Sequence, residues 1–173
     1  MRQLKVLLII GNENESKIKV LEEINRKYNV NVTKKVTTDK SLDKYPEFYE
    51  YISLDKFSEY LGNEDTPTIR TFSYTDHGFS GYINSDVGQS VCDNLGKKVE
   101  SVVLNIDYNE LPHYIENYKN VSTIFCADKK RKGTVQLEDT FDAVIYYDSL
   151  DLSIIDGFLT NKESVDVKAI IKK

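Results

Sequence analysis

Apolar positions change period repeatedly along the chain, and the changes mark out alternating strands and helices. Leu4 to Ile10 is a nearly continuous apolar run closed by Gly11, the pattern of a strand buried on both faces of a parallel sheet. Ser16 to Tyr28 carries Ile18, Leu21, Ile24 and Tyr28 on one helical stripe. Val30 to Thr38 reads as an exposed strand or extended arm, Tyr49 to Ile52 as a brief strand, and Leu54 to Leu61 as a short helix ended by Gly62-Asn63. Thr68 to Tyr74 alternates like a strand. Asn84 to Leu95 looks helical, with Gly96 just past its end. Ser101 to Ile106, Val121 to Cys126 and Ala143 to Tyr147 are further core strands. Between and after them come helices at Glu110 to Tyr118, with Pro112 in the first turn, and at Leu150 to Leu159. Ser164 to Ile171 is ambiguous between strand and helix. Strands alternating with helices predict an α/β fold, a parallel sheet with flanking helices. The Tyr- and Thr-rich stretch from 30 to 83 forms a small β-rich lobe, and the core comprises 1–29 and 84–173 of a single domain 1–173.

Composition narrows the function classes. At 173 residues the chain can bury a core without a disulfide or metal staple. Cys92 and Cys126 are too few for a disulfide scaffold or a four-cysteine zinc site, and His77 and His113 argue against a histidine metal centre, so no metal site is expected. A net charge of −5 argues against nucleic-acid and anionic-membrane partners. No run approaches the roughly 20 apolar residues of a membrane span. A cytoplasmic protein with reduced thiols is the expectation.

Four landmarks in order carry a resemblance. They are Gly11-Asn12-Glu13-Asn14-Glu15-Ser16-Lys17 between a strand and a helix, Val36-Thr37-Thr38-Asp39, Tyr49 to Phe57, and Leu104-Asn105-Ile106-Asp107. Together, from about Leu4 to Leu159, they resemble guanylate kinase, a P-loop nucleoside monophosphate kinase. The resemblance implies a phosphate loop at 11–17, a GMP-binding arm in the lobe, and a nucleotide site that includes Gly11, Lys17, Lys35, Tyr49, Gly81 and Asp107. It also implies that Lys17, with Arg131 of the Lys129-Lys130-Arg131-Lys132 run, would be the catalytic residues of any active form.

The residues at those places depart from the chemistry the family needs. A phosphate loop uses glycines to converge backbone N–H groups, a lysine for charge and a hydroxyl for Mg²⁺. Here the family's other glycines fall on Asn14 and Ser16, and the Mg²⁺ hydroxyl on Ile18. Glu13 and Glu15 add carboxylates. A carboxylate about 5 Å from a phosphate charge costs about 3 kcal/mol at an effective dielectric near 20. The bland alternative is a strand–turn–helix junction with a solvated acidic loop. On the arm, the family's phosphate-binding serine falls on Lys35 and its two arginines on Asp39 and Leu42, whereas bidentate phosphate binding needs the guanidinium fork. The guanine-reading region falls near Thr71, and the Tyr-Gly-Thr/Ser signature has become Ser80-Gly81-Tyr82. On the third strand the first acid of the family's pair is Asn105, and Asp107 serves equally as a functional acid or a turn former. The loop from Cys126 to Ala143 has no room for the helical lid of the kinases.

These departures predict a catalytically degenerate guanylate-kinase-like protein, a binding or regulatory module rather than an enzyme. Its partner would be a protein that meets the Tyr/Lys-rich lobe, with guanine nucleotide disfavoured and no cofactor. Lys34, Lys35, Lys40 and Lys44 would be a diffuse anion patch or solvated lysines on an exposed arm. The alternatives are a divergent kinase that moves phosphoryl from ATP, with Mg²⁺, to GMP, and a nucleotide sensor without turnover.

Overall fold

The computed structural model describes residues 2–3, 5–28, 30, 32–87, 101–128, 139–147, 151–159 and 165–166. The core sheet is built on β2 (Lys5–Ile10), where Val6 to Ile10 are all buried. Successive side chains of a strand point to opposite faces. Leu7 and Ile9 therefore meet Ile18, Leu21 and Ile24 of helix α1 (Glu15–Tyr28). Val6, Leu8 and Ile10 meet Tyr114 of helix α3 (Leu111–Asn117) on the other face. Such two-sided burial is why the run carries no polar position. Strands β7 (Ser101–Ile106), β8 (Val121–Ala127) and β9 (Ala143–Tyr146) complete a four-stranded parallel sheet in the spatial order β7-β2-β8-β9. Helix α4 (Ser153–Leu159) packs Ile155 and Leu159 on the α1 side. The fold is α/β, a parallel sheet flanked by helices.

A short strand pair, β1 (Arg2–Gln3) with β10 (Val165–Asp166), runs parallel and gives the ambiguous C-terminal segment a strand at its start. The rest of 164–171, Cys92, most of the helix expected over 84–95, and Arg131 lie outside the described residues. The last helix begins at Ser153 rather than Leu150, and Asp151 caps it by accepting from Ser153 N at 3.0 Å.

The expectation of an exposed arm over Val30 to Thr38 is corrected. Val30, Val32 and Lys35 to Thr37 are buried. Val32 bridges in parallel to Val103 on the edge of β7 away from β2, so the chain runs along the core sheet before entering the lobe. Lys35–Thr37 is then β3, an inner strand of a second sheet in the order β4-β3-β6-β5. Its other members are β4 (Tyr49–Tyr51), β5 (Ile69–Thr75) and β6 (Gly78–Ile83). Neighbours on both edges bury β3, an outcome that its Lys- and Thr-rich sequence hides.

The lobe has its own core. Val36, Ile69 and Ile83 surround Phe57 of helix α2 (Leu54–Gly62), and Phe72 and Phe79 lie 6.2 Å from the Phe57 ring centroid. Ser53 caps α2 by accepting from Lys56 N at 3.2 Å. Asp76-His77 forms the two-residue turn of the β5–β6 hairpin, which assigns that Asp-His pair to a turn. Gly81 is fixed by close approach. A Cβ there would lie 2.9 Å from the Thr71 carbonyl oxygen and 2.9 Å from Ile69 Cγ2.

Candidate functional site

The chain leaves β2 toward β7 on one side and leaves β8 toward β9 on the other, so the order reverses between β2 and β8. Ligands in open α/β sheets bind at the strand carboxyl ends beside such a reversal. A crevice of about 250 Å³ lies there, lined by Gly11, Asn14, Asp107, Cys126, Asp128 and Tyr147 among others. It is slightly smaller than the roughly 300–1,000 Å³ of most ligand pockets. The glycine at its floor has a φ of +157°, a backbone conformation that other residues rarely adopt, and a Cβ there would also sit a tight 3.2 Å from the Cys126 carbonyl oxygen. Burial pushes the Cys126 thiol up to about 11, so it behaves as a core residue and not a thiolate. The described lining carries two carboxylates and no lysine or arginine.

Lys17 does not line the crevice. Asn14 Oδ1 caps α1 by accepting from Lys17 N at 2.8 Å. The Lys17 side chain turns back beneath the loop, fully buried. Its Nζ donates to the carbonyls of Gly11 at 2.7 Å, the residue just past β2, and Ile106 at 2.6 Å, the last residue of β7. Burial, with Lys35 nearby, holds this ammonium below its ordinary range, although Glu13 pulls it upward.

Glu13 overturns the picture of a solvated acidic loop. Its side chain points inward with no solvent exposure and joins a buried network. Lys35 Nζ donates to Glu13 Oε1 at 2.9 Å and to Glu110 Oε1 at 3.0 Å. Ser73 Oγ donates to Glu13 Oε1 at 3.3 Å, Asn105 Nδ2 to Oε2 at 3.4 Å, and the Tyr49 hydroxyl also donates to Oε2. Asn105 Nδ2 lies 2.8 Å from the Tyr49 oxygen as well. The second acid, Glu110, accepts from Thr71 Oγ1 at 2.9 Å and from Asp107 N at 3.1 Å. Two lysines and two glutamates thus balance in charge. Glu15, by contrast, stays exposed with Lys44 at 3.6 Å.

Burial alone would raise the Glu13 carboxyl, but Lys35, Lys17 and the hydrogen bonds outweigh it and hold the group below its ordinary 4.5. Burial would likewise lower Lys35, and Glu110 with Glu13 outweighs it, so that ammonium stands above its ordinary 10.5.

Besides Lys17, buried beneath the loop, the expected site residues separate into three places. Gly11 and Asp107 meet at the crevice, where Asp107 caps the 3₁₀ turn Tyr108–Glu110 by accepting from Tyr108 N at 2.8 Å. Lys35 and Tyr49 meet through Glu13, which removes Lys35 from any exposed anion patch. Gly81 is a packing position. Glu13 and Glu110 were not expected inside, whereas Asn105 lies on a strand expected to be buried. One signal existed, the spacing Asp107-x-x-Glu110 of a capping box, which the structure contains.

No group of three or more His, Cys, Asp or Glu side chains among the described residues could hold a metal ion. No helix among the described residues is long and apolar enough to cross a membrane. No family model matches this chain, and no curated protein matches it.

Proposed function

We propose that this chain is a guanylate-kinase-like domain that no longer transfers phosphoryl groups and acts as a binding or regulatory module. One observation carries the reading. Both ammonium groups that the resemblance assigns to phosphates are already used by the protein, Lys17 on the carbonyls of Gly11 and Ile106, and Lys35 on Glu13 and Glu110. A triphosphate in the crevice would face Asp107 and Asp128 instead. The strand–loop–helix junction at the order reversal, and a β lobe inserted after α1, support the kinase-like descent. Lobe side chains exposed to solvent, Tyr51, Leu54 and Tyr74, are the contact residues that this reading offers a protein partner.

The test is direct. GMP and MgATP incubated with the protein should give GDP and ADP no faster than buffer, and Lys17→Met should not change that rate. Thermal shifts with GMP, GDP, ATP and MgATP should be near zero, because a ligand at a hundred times its Kd adds about 2.7 kcal/mol and would not be missed. Turnover that disappears in Lys17→Met would establish the kinase alternative. A nucleotide-dependent shift without turnover would establish the sensor.

A further inference from the structure

The crevice at the strand-order reversal has a lining whose polar groups make opposite demands. Asp107 and Asp128 are acceptors only, and among the described residues no lysine or arginine lines the crevice beside them. Asp107 Oδ1 already accepts from Tyr108 N, but a carboxylate has further lone pairs to offer. The Tyr147 hydroxyl makes the contrary demand. Its oxygen stands over the crevice floor, 3.7 Å from where a Cβ on Gly11 would lie. That oxygen is buried and makes no hydrogen bond in the protein, although the Cys126 thiol and the Asn14 side chain lie close by. Burial, with Cys126 and Asp128 near, pushes the phenol upward, so it keeps a proton that needs an acceptor. A buried donor without an acceptor is costly. Ligand classes then separate. An anion such as phosphate would accept from Tyr147 but meet two carboxylates. An ammonium would donate to the carboxylates but has no lone pair for Tyr147. A hydroxyl group both donates and accepts, and two on adjacent carbons can donate to the two oxygens of one carboxylate. The rings of Tyr108, 58% exposed, and Phe125 give the crevice an apolar wall for the C–H side of such a compound. A volume of about 250 Å³ suits a single small ring.

We infer that this crevice binds a neutral polyhydroxyl compound of monosaccharide size, through Asp107, Asp128 and the Tyr147 hydroxyl. Such a site needs only that lining and is independent of kinase-like descent. Vicinal hydroxyls of the ligand donate to the carboxylates, and one of its oxygens accepts from Tyr147.

Isotope-labelled protein is titrated with D-ribose, D-glucose and myo-inositol, and separately with methylammonium chloride and sodium phosphate at matched ionic strength, following the amide NMR signals. The expected result is a saturable shift at the amides of Gly11 and Asp128 for at least one polyol, and none there for methylammonium or phosphate. Tyr147→Phe removes only the hydroxyl. With no hydrogen bond to lose, its Tm should stay at or above the wild-type value, while its Kd for that polyol rises about tenfold. Asp128→Asn, at an exposed position, should weaken the same binding without moving Tm. No saturable shift with any of the three polyols, shifts confined to other parts of the chain, or a Kd that Tyr147→Phe leaves unchanged would overturn the site. A Tm for Tyr147→Phe well below the wild-type value would overturn it too, since the hydroxyl would then already have a partner. A stronger response at those amides to methylammonium or to phosphate than to any polyol would overturn the ligand class.

Discussion

Lys35→Met is expected to destabilise the protein by about 3–5 kcal/mol, because it leaves the Glu13 and Glu110 carboxylates buried together without their shared cation. For a chain of this length that corresponds to a fall in Tm of about 10 °C, readable by urea or thermal unfolding. The loss should depend on pH in a definite sense. In the wild type, Glu13 titrates below its ordinary 4.5, so its contribution is present above 4.5 and is lost as pH falls through the lowered folded value. Lys35 titrates above 10.5, so its contribution is present below 10.5 and is lost only as pH rises through the raised folded value. The variant lacks the cation that held Glu13 down, so Glu13 takes up its proton at higher pH. Its deficit relative to the wild type therefore narrows as the solution is acidified. Adding Glu110→Gln in the Lys35→Met background leaves one buried lysine, Lys17, opposite one glutamate, Glu13, and should restore part of the loss. An unchanged urea midpoint for Lys35→Met would show that the network holds nothing together.

Phe57→Ala is the second large effect, at about 4 kcal/mol. The ring is 1% exposed and is the centre of the lobe core, with Phe72 edge-on and Phe79 stacked against it. Its contacts lie within the lobe, in a cluster separate from the two that cover the core sheet. Amide exchange should accordingly accelerate first in β3 to β6, while β2, β7 and β8 keep their protection. Uniform acceleration across both sheets would show instead that lobe and core unfold as one unit.

The core sheet was legible in the sequence for a simple reason. A parallel strand buried on both faces admits almost only apolar residues, and Val6 to Ile10 or Val102 to Leu104 can be little else. Strand β6 was not legible, since Gly78, Ser80 and Gly81 give no alternation and Gly81 is there to let β5 approach. The buried charges were hidden more deeply. Lys and Glu in a sequence read as surface. What makes burial tolerable is a partner of opposite sign, and Lys35 finds its partners 22 and 75 residues away. No local window contains that information. Spacing located the Gly11–Lys17 loop at the carboxyl end of β2, but it could not say that Glu13 and Lys17 both turn inward. Both side chains are satisfied by the protein's own groups.

Two amines sealed in this way carry a chemical consequence. An acylating reagent meets Lys44, whose side chain is 60% exposed, in every molecule it encounters. The nitrogens of Lys17 and Lys35 come within its reach only in molecules whose packing around them has opened. Acyl groups accumulating on those two positions therefore keep a covalent record of rare excursions, written one molecule at a time under native conditions.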